Sequence, residues 1–149
     1  MNILEASRSI EVLLIEDDLG DVELTKEAMK ATRLAVNLSV VRDGEEAMAY
    51  FRKEGSYTNA ASPDLVLLDL NMPRKDGRDV LRDMKNDRTL NRIPVVVLTT
   101  SDSDEDIMKS YDLGASCYVT KPVGLEQFMK VVQSIGDFWF MFAKLPNME

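Results

Sequence analysis

The sequence predicts an α/β fold: a doubly wound, five-stranded parallel sheet with helices on both faces. Three observations carry this. Short apolar runs, Val12-Leu13-Leu14-Ile15, Leu65-Val66-Leu67-Leu68 and Pro94-Val95-Val96-Val97-Leu98, have the length and bounded flanks of strands buried on both faces. Each gives way to a stretch with apolar residues at helical spacing, and the alternation recurs five times, as parallel neighbours joined by crossovers require. Polar residues stand where the runs end: Glu16-Asp17-Asp18, Asp69, Thr99 and Lys121. Open α/β sheets hold ligands at such carboxyl ends.

Residues 1–10 read as a loosely held N-terminus and 11–149 as one domain. After the first strand, Leu19 to Thr32 forms a helix with Val22, Thr25, Ala28 and Met29 on one face and Asp18 as N-cap. A shorter strand, Asn37 to Val41, leads to Asp43-Gly44-Glu45-Glu46. There Asp43 caps a helix with Ala47, Tyr50 and Phe51 inside and Gly55 as terminator. Gly55 to Pro63 is a polar loop. The strand Leu65 to Leu68 ends in Asp69, and Met72-Pro73 then forces a turn. Beyond Lys75-Asp76-Gly77 a helix carries Val80, Leu81 and Met84. The strand Pro94 to Leu98 follows, then a helix from Asp104 to Leu113 closed by Gly114, and a short strand Cys117 to Val119. The last helix, Leu125 to Phe142, carries Phe128, Met129, Val132 and Ile135 at helical spacing and ends rich in aromatics. For five such units the order is 2-1-3-4-5, flavodoxin-like.

At 149 residues the chain buries a core without disulfides or structural metal. Its formal charge of -8 argues against a surface that binds nucleic acid non-specifically, since neutralising phosphates takes an excess of Lys and Arg. The single cysteine, Cys117, excludes an internal disulfide and reads as a buried, inert thiol in a reducing compartment. With no histidine, serine-triad and phosphohistidine chemistry on this chain are excluded, and any histidine must come from a partner. The N-terminus lacks a signal peptide's basic start and apolar core, and no apolar run approaches the ~20 residues of a membrane helix. A cytoplasmic protein is expected.

In the 2-1-3-4-5 order the ends of the first, third, fourth and fifth strands meet. Carboxylates crowded there repel one another unless a cation neutralises them. Mg²⁺ takes one or two carboxylates plus water and keeps positions open for phosphate oxygens. Asp17 and Asp69 are the expected ligands, with the Asn71 main-chain carbonyl. A carboxylate can also serve as nucleophile in phosphoryl transfer, which asks chiefly for positioning and for positive charge on the equatorial oxygens. Asp69 is the expected acceptor, Lys121 the cation and Thr99 the hydrogen-bond donor.

Leu14-Ile15-Glu16-Asp17-Asp18, Leu68-Asp69-Leu70-Asn71-Met72-Pro73-Arg74-Lys75-Asp76-Gly77, Leu98-Thr99-Thr100 and Tyr118-Val119-Thr120-Lys121-Pro122 resemble the four signatures of the receiver domains of two-component response regulators. The match runs from about Glu11 to Ile135. No output domain follows, so the chain resembles the single-domain regulators. The loop before the third strand and the aromatic C-terminal extension are most similar to response regulators paired with cyanobacterial phytochromes. The resemblance implies that Asp69 accepts a phosphoryl group from a phosphohistidine on a sensor kinase, with Glu16 and Asp17 as the acidic pair, Glu16 reaching the metal through water. It implies a cis Lys121-Pro122 bond. It also implies that phosphorylation draws the Thr99 hydroxyl toward the phosphoryl group and lets Tyr118 turn inward. The face of helix 4, strand 5 and helix 5 would then switch, a population shift from a local charge change.

Asn71 and Ser101, two positions beyond Asp69 and Thr99, are expected to tune phosphoaspartate lifetime. Phe138, Trp139, Phe140 and Phe142 cover more than one face of the last helix, and Phe138, Trp139 and Phe142 are candidates for a homodimer contact. Two rivals differ in kind. A Mg²⁺-dependent phosphatase with an aspartyl-phosphate intermediate, resembling haloacid dehalogenases, wants a second Asp two residues after the nucleophile, where Asn71 stands. A pseudo-receiver that only binds requires loss of Asp17, Asp69 or Lys121, and all three are present.

Overall fold

The computed structural model describes residues 9–31 and 35–142. Its order is β1 (Ile10–Ile15), α1 (Leu19–Lys30), β2 (Val36–Val41), α2 (Gly44–Phe51), β3 (Leu65–Leu68), α3 (Gly77–Lys85), β4 (Val95–Thr99), α4 (Asp104–Asp112), β5 (Cys117–Thr120) and α5 (Leu125–Asp137). The strands form one sheet, β2-β1-β3-β4-β5, and every pair is parallel. Strand alternation divides the apolar residues into two cores. Leu13, Ile15, Val66, Leu68 and Val97 pack under Ala47 and Met48 of α2 and Val80, Leu81 and Met84 of α3. Leu14, Leu67, Val96 and Leu98 pack under Val22, Ala28 and Met29 of α1 and Phe128, Val132 and Ile135 of α5. All four residues of β3 are buried, as an apolar run without alternation requires.

The caps hold helix starts at the sheet's carboxyl edge. Asp18 accepts from the Asp21 N–H at 2.9 Å and Asp43 from the Glu46 N–H at 2.8 Å, both as expected. Asp76 and Ser103 cap α3 and α4 in the same way. Gly114, at φ 98°, closes α4 with paired backbone bonds, Gly114 N–H to the Tyr111 carbonyl and Ala115 N–H to the Ser110 carbonyl.

Some boundaries differ from expectation. Ile10, assigned to the loose N-terminus, begins β1, and its N–H donates to the Ala35 carbonyl at 2.9 Å; residues 1–8 lie outside the described residues. The helix expected to end at Gly55 ends at Phe51. Lys53 takes the left-handed position, φ 56°, and Glu54 N–H reaches back to the Ala49 carbonyl, so the reversal is complete before the glycine. The last α-helix ends at Asp137, and Phe138–Phe142 continue as a wider π turn. Cys117 is half-buried, because β5 is an edge strand. No peptide bond among the described residues is cis, Lys121–Pro122 included, and trans is the lower of two nearby isomers for any X–Pro bond.

Candidate functional site

The polar residues at the strand ends are held by the sheet's own ladder. Glu16 N–H donates to the Val41 carbonyl at 3.0 Å, Asp69 N–H to Ile15 at 3.0 Å and Lys121 N–H to Thr99 at 2.7 Å. These backbones therefore have little freedom, and side chains on rigid elements keep their geometry. Behind Asp69 stands Gly77, where a Cβ would lie 2.4 Å from the Asp69 carbonyl oxygen. A side chain there would push the start of α3 off the strand end.

Glu16, Asp17 and Asp69 each offer a carboxylate oxygen, all within 4.8 Å of one another. Glu16 and Asp69 are buried and Asp17 is more exposed. The Lys121 ammonium crosses this cluster, donating to Glu16 Oε1, to Asp21 Oδ2 at 2.7 Å and to Asp69 Oδ2 at 3.2 Å. Burial works to depress the Lys121 pKa, but the bonds to Asp21 and Glu16 and the nearby carboxylate charges win, and it is raised. Burial pushes the Glu16 carboxyl up to about 7; the Lys121 hydrogen bond pulls it down and the Asp69 charge adds to the rise. One ammonium among four carboxylates leaves an excess of negative charge. Three converging hard oxygens fit a divalent cation such as Mg²⁺.

The Glu16 shift has a testable sign. A carboxyl whose folded pKa lies above its ordinary 4.5 binds a proton more tightly folded than unfolded. Metal-free protein is therefore expected to lose stability, on the order of 3 kcal/mol, as pH rises from about 4.5 through about 7. Denaturant midpoints in EDTA across that window, compared with Glu16→Gln, measure it: the variant should flatten the slope, and equal slopes would refute the assignment.

Thr99 is fully buried and its hydroxyl has no hydrogen-bond partner among the described residues. A buried donor without a partner costs free energy, and a phosphoryl oxygen at the adjacent strand end would supply one. Asn71 N–H donates to Asp69 Oδ1 at 3.3 Å, while the residue as a whole is exposed. Ser101 turns toward α4: its hydroxyl donates to Asp106 Oδ2 at 2.6 Å. Asp106 also takes Arg78, Nη2 at 2.8 Å, and the bonds from Ser101 and Arg78 hold its carboxyl below the usual range. The half-buried Tyr118 donates its hydroxyl to the Ser101 carbonyl at 2.8 Å, and burial raises its pKa. Its ring thus already bridges β5 to the loop after β4.

Sequence reasoning missed Asp21. Its signal was its place in the first turn of α1, one helical turn beyond the acidic triplet, which brings it to the same strand-end cleft. Of the aromatic candidates, Phe138 is 55% exposed and stacks edge-on against Trp139 at 5.5 Å. Trp139 and Phe140 pack on the core beneath α5, and the Phe142 side chain lies outside the described residues.

Residues 12–133 match the model of the response regulator receiver domain. The chain belongs to that family. As a receiver it is a phosphorylation-based signalling module whose family implies a histidine kinase partner. It is 45% identical over 135 residues to the response regulator Rcp1 of Synechocystis, covering 91% of this chain and 92% of Rcp1. It is 35% identical to the probable methanogenesis regulatory protein FilR2 of Methanothrix harundinacea, covering 98% of this chain and 94% of FilR2. Among solved structures, the phosphorylated cyanobacterial phytochrome response regulator RcpA superposes with a TM-score of 0.91 at 49% identity, over 94% of this receiver and all of that chain. The Mn²⁺-bound form of Rcp1 gives 0.89 at 44% identity, over 93% and 99%. These relatives share the five-stranded receiver architecture, and the resemblance to phytochrome-linked regulators read from the loop and C-terminal aromatics is upheld.

Proposed function

We propose that this receiver, in the cytoplasm, accepts a phosphoryl group from the phosphohistidine of a sensor histidine kinase, a phytochrome in our reading, onto Asp69. The observation that carries this is the convergence of Asp69 with Lys121, Glu16 and Asp17 at the ends of adjacent strands. An Asp69 carboxylate oxygen gives its electron pair to phosphorus; the P–N bond breaks and its pair returns to the partner's imidazole. A Mg²⁺ ion held by Asp17, Asp69 and the Asn71 carbonyl, with Glu16 reached through water, would supply positive charge to the phosphoryl oxygens. Lys121 turns an N–H from Asp69 to a phosphoryl oxygen, and the Thr99 hydroxyl takes up the partner it lacks. Transfer and hydrolysis are the chain's own chemistry, with no separate substrate. Asn71, at the exposed side of Asp69, borders the path of the attacking water and sets the lifetime; Ser101 shares that role only once its hydroxyl leaves Asp106.

Movement of Thr99 disturbs β4 and the loop that Tyr118 grips, and with them the face of α4, β5 and α5. The signal then passes to a downstream protein through that face. Neither DNA nor a membrane is expected as partner: the charge is -8, and among the described residues no helix is long and apolar enough to cross a membrane. The test is intact-protein mass after incubation with acetyl phosphate or a phosphorylated histidine donor. A gain of one phosphoryl group, abolished by EDTA, is expected; no gain from either donor with Mg²⁺ present would defeat the reading.

On the same face, Phe138 lines a shallow apolar groove with Cys117, Val119, Ile135 and Trp139. A second copy of this chain is our assignment for it. Phe138→Asp should sediment as monomer where wild type sediments as dimer, and an unchanged dimer would dismiss the contact.

A further inference from the structure

An ammonium has three N–H donors. Those of Lys121 are all taken, by Glu16, by Asp21 at 2.7 Å and by Asp69 at 3.2 Å. A phosphoryl oxygen can be served only if one of these bonds gives way. The longest, to Asp69, is the one that weakens when formation of the acyl phosphate removes that carboxylate's charge. Glu16 and Asp21 keep theirs. Glu16 is also part of the three-carboxylate cluster and accepts from the Asp18 N–H at 3.2 Å. Asp21 stands outside that cluster, and its carboxylate serves Lys121. Its position is fixed by its helix: the Asp18 side chain accepts its N–H at 2.9 Å and Thr25 Oγ1 donates to its carbonyl at 2.7 Å. The amino end of α1 favours its negative charge.

We propose that Asp21 is a positioning residue that holds the Lys121 ammonium at the pocket and competes with the phosphoryl group for its positive charge. Its carboxylate aims the lysine across the strand ends and leaves part of that charge already neutralised. The phosphorylated form, which adds negative charge beside Asp21, is thereby kept weaker than Lys121 alone would make it. This rests on Asp69 being the acceptor.

The test uses the whole chain and beryllofluoride, formed from beryllium chloride and sodium fluoride, as the phosphoryl mimic at saturating Mg²⁺. Asp21→Asn keeps an oxygen for Lys121 and removes the charge. By calorimetry it should bind beryllofluoride about threefold to tenfold more tightly, the effect of deleting one anion several ångströms from the ligand. Mg²⁺ affinity, measured without beryllium, should stay unchanged or fall. Tighter beryllofluoride binding without tighter Mg²⁺ binding is the signature of competition. A merely structural Asp21 would weaken both together, with a lower melting temperature, and that result would overturn the proposal. So would an unchanged beryllofluoride affinity beside normal wild-type binding. If wild type bound no beryllofluoride at all, the acceptor reading itself would fall, and this one with it.

Discussion

Asp69→Asn is expected to gain no phosphoryl mass from either donor, with or without Mg²⁺. The substitution is isosteric, so the change is chemical rather than architectural. An amide oxygen lacks the charge that makes a carboxylate a nucleophile toward phosphorus, and no other described carboxylate is placed to take over its geometry. Glu16 is 2% exposed and committed to Lys121 and the Asp18 N–H, while Asp17 projects from the cluster's more open side. The fold should survive. The Asn side-chain oxygen can still accept from Lys121, and removing one of the crowded anions relieves repulsion, so metal-free stability should hold or rise by about 1 kcal/mol. Intact mass and a denaturant midpoint on the same sample separate the two effects. Retained phosphorylation would move the acceptor elsewhere; lost phosphorylation with a collapsed midpoint would make the loss structural.

The parts legible in the sequence are those fixed by local physics. Leu65 to Leu68 could only be a strand covered on both sides, and all four residues are buried. Once the five units were placed in order, Glu16, Asp17, Asp69, Thr99 and Lys121 had to gather at one edge, and the structure places them at adjacent strand ends. What was illegible depends on side-chain direction or on competition between neighbours. Asp21 is one of several acids at the start of α1, and its place a turn beyond the triplet brings it near the cleft without saying that the Lys121 ammonium, 100 residues on, will reach it. Ser101 sits two residues beyond Thr99, but Asp106 takes its hydroxyl. Gly55 is a sound helix terminator, but Lys53 adopted the left-handed conformation first. The run Phe138 to Phe142 reads as a continuation of the last helix, whereas in the structure it widens into a π turn in which Trp139 and Phe140 pack on the core.

Lys121→Met should produce the second large effect, and its dependence on pH identifies the cause. Methionine approximates the lysine stem, so packing changes little, but Glu16, Asp21 and Asp69 lose their shared cation. Breaking a buried pair by removing one partner leaves an uncompensated charge and typically costs about 3–5 kcal/mol. Here the cost can be avoided by protonation. Glu16 already titrates near 7, and losing the lysine that pulls it down drives it higher. At pH 5.5 Glu16 is protonated with or without Lys121, so its share of the loss should be small there and the total smaller than at higher pH. At pH 8 the wild-type carboxylate is ionised, and the variant must either bury that charge unpaired or bind a proton from dilute solution. The full penalty should therefore emerge between those values. Saturating Mg²⁺ should recover more stability in the variant than in wild type, because the cation replaces the missing positive charge. Urea unfolding in EDTA at both pH values, repeated with Mg²⁺, measures all three terms. Equal losses at pH 5.5 and 8 would mean that Lys121 acts through packing and not through the charge it places among the carboxylates.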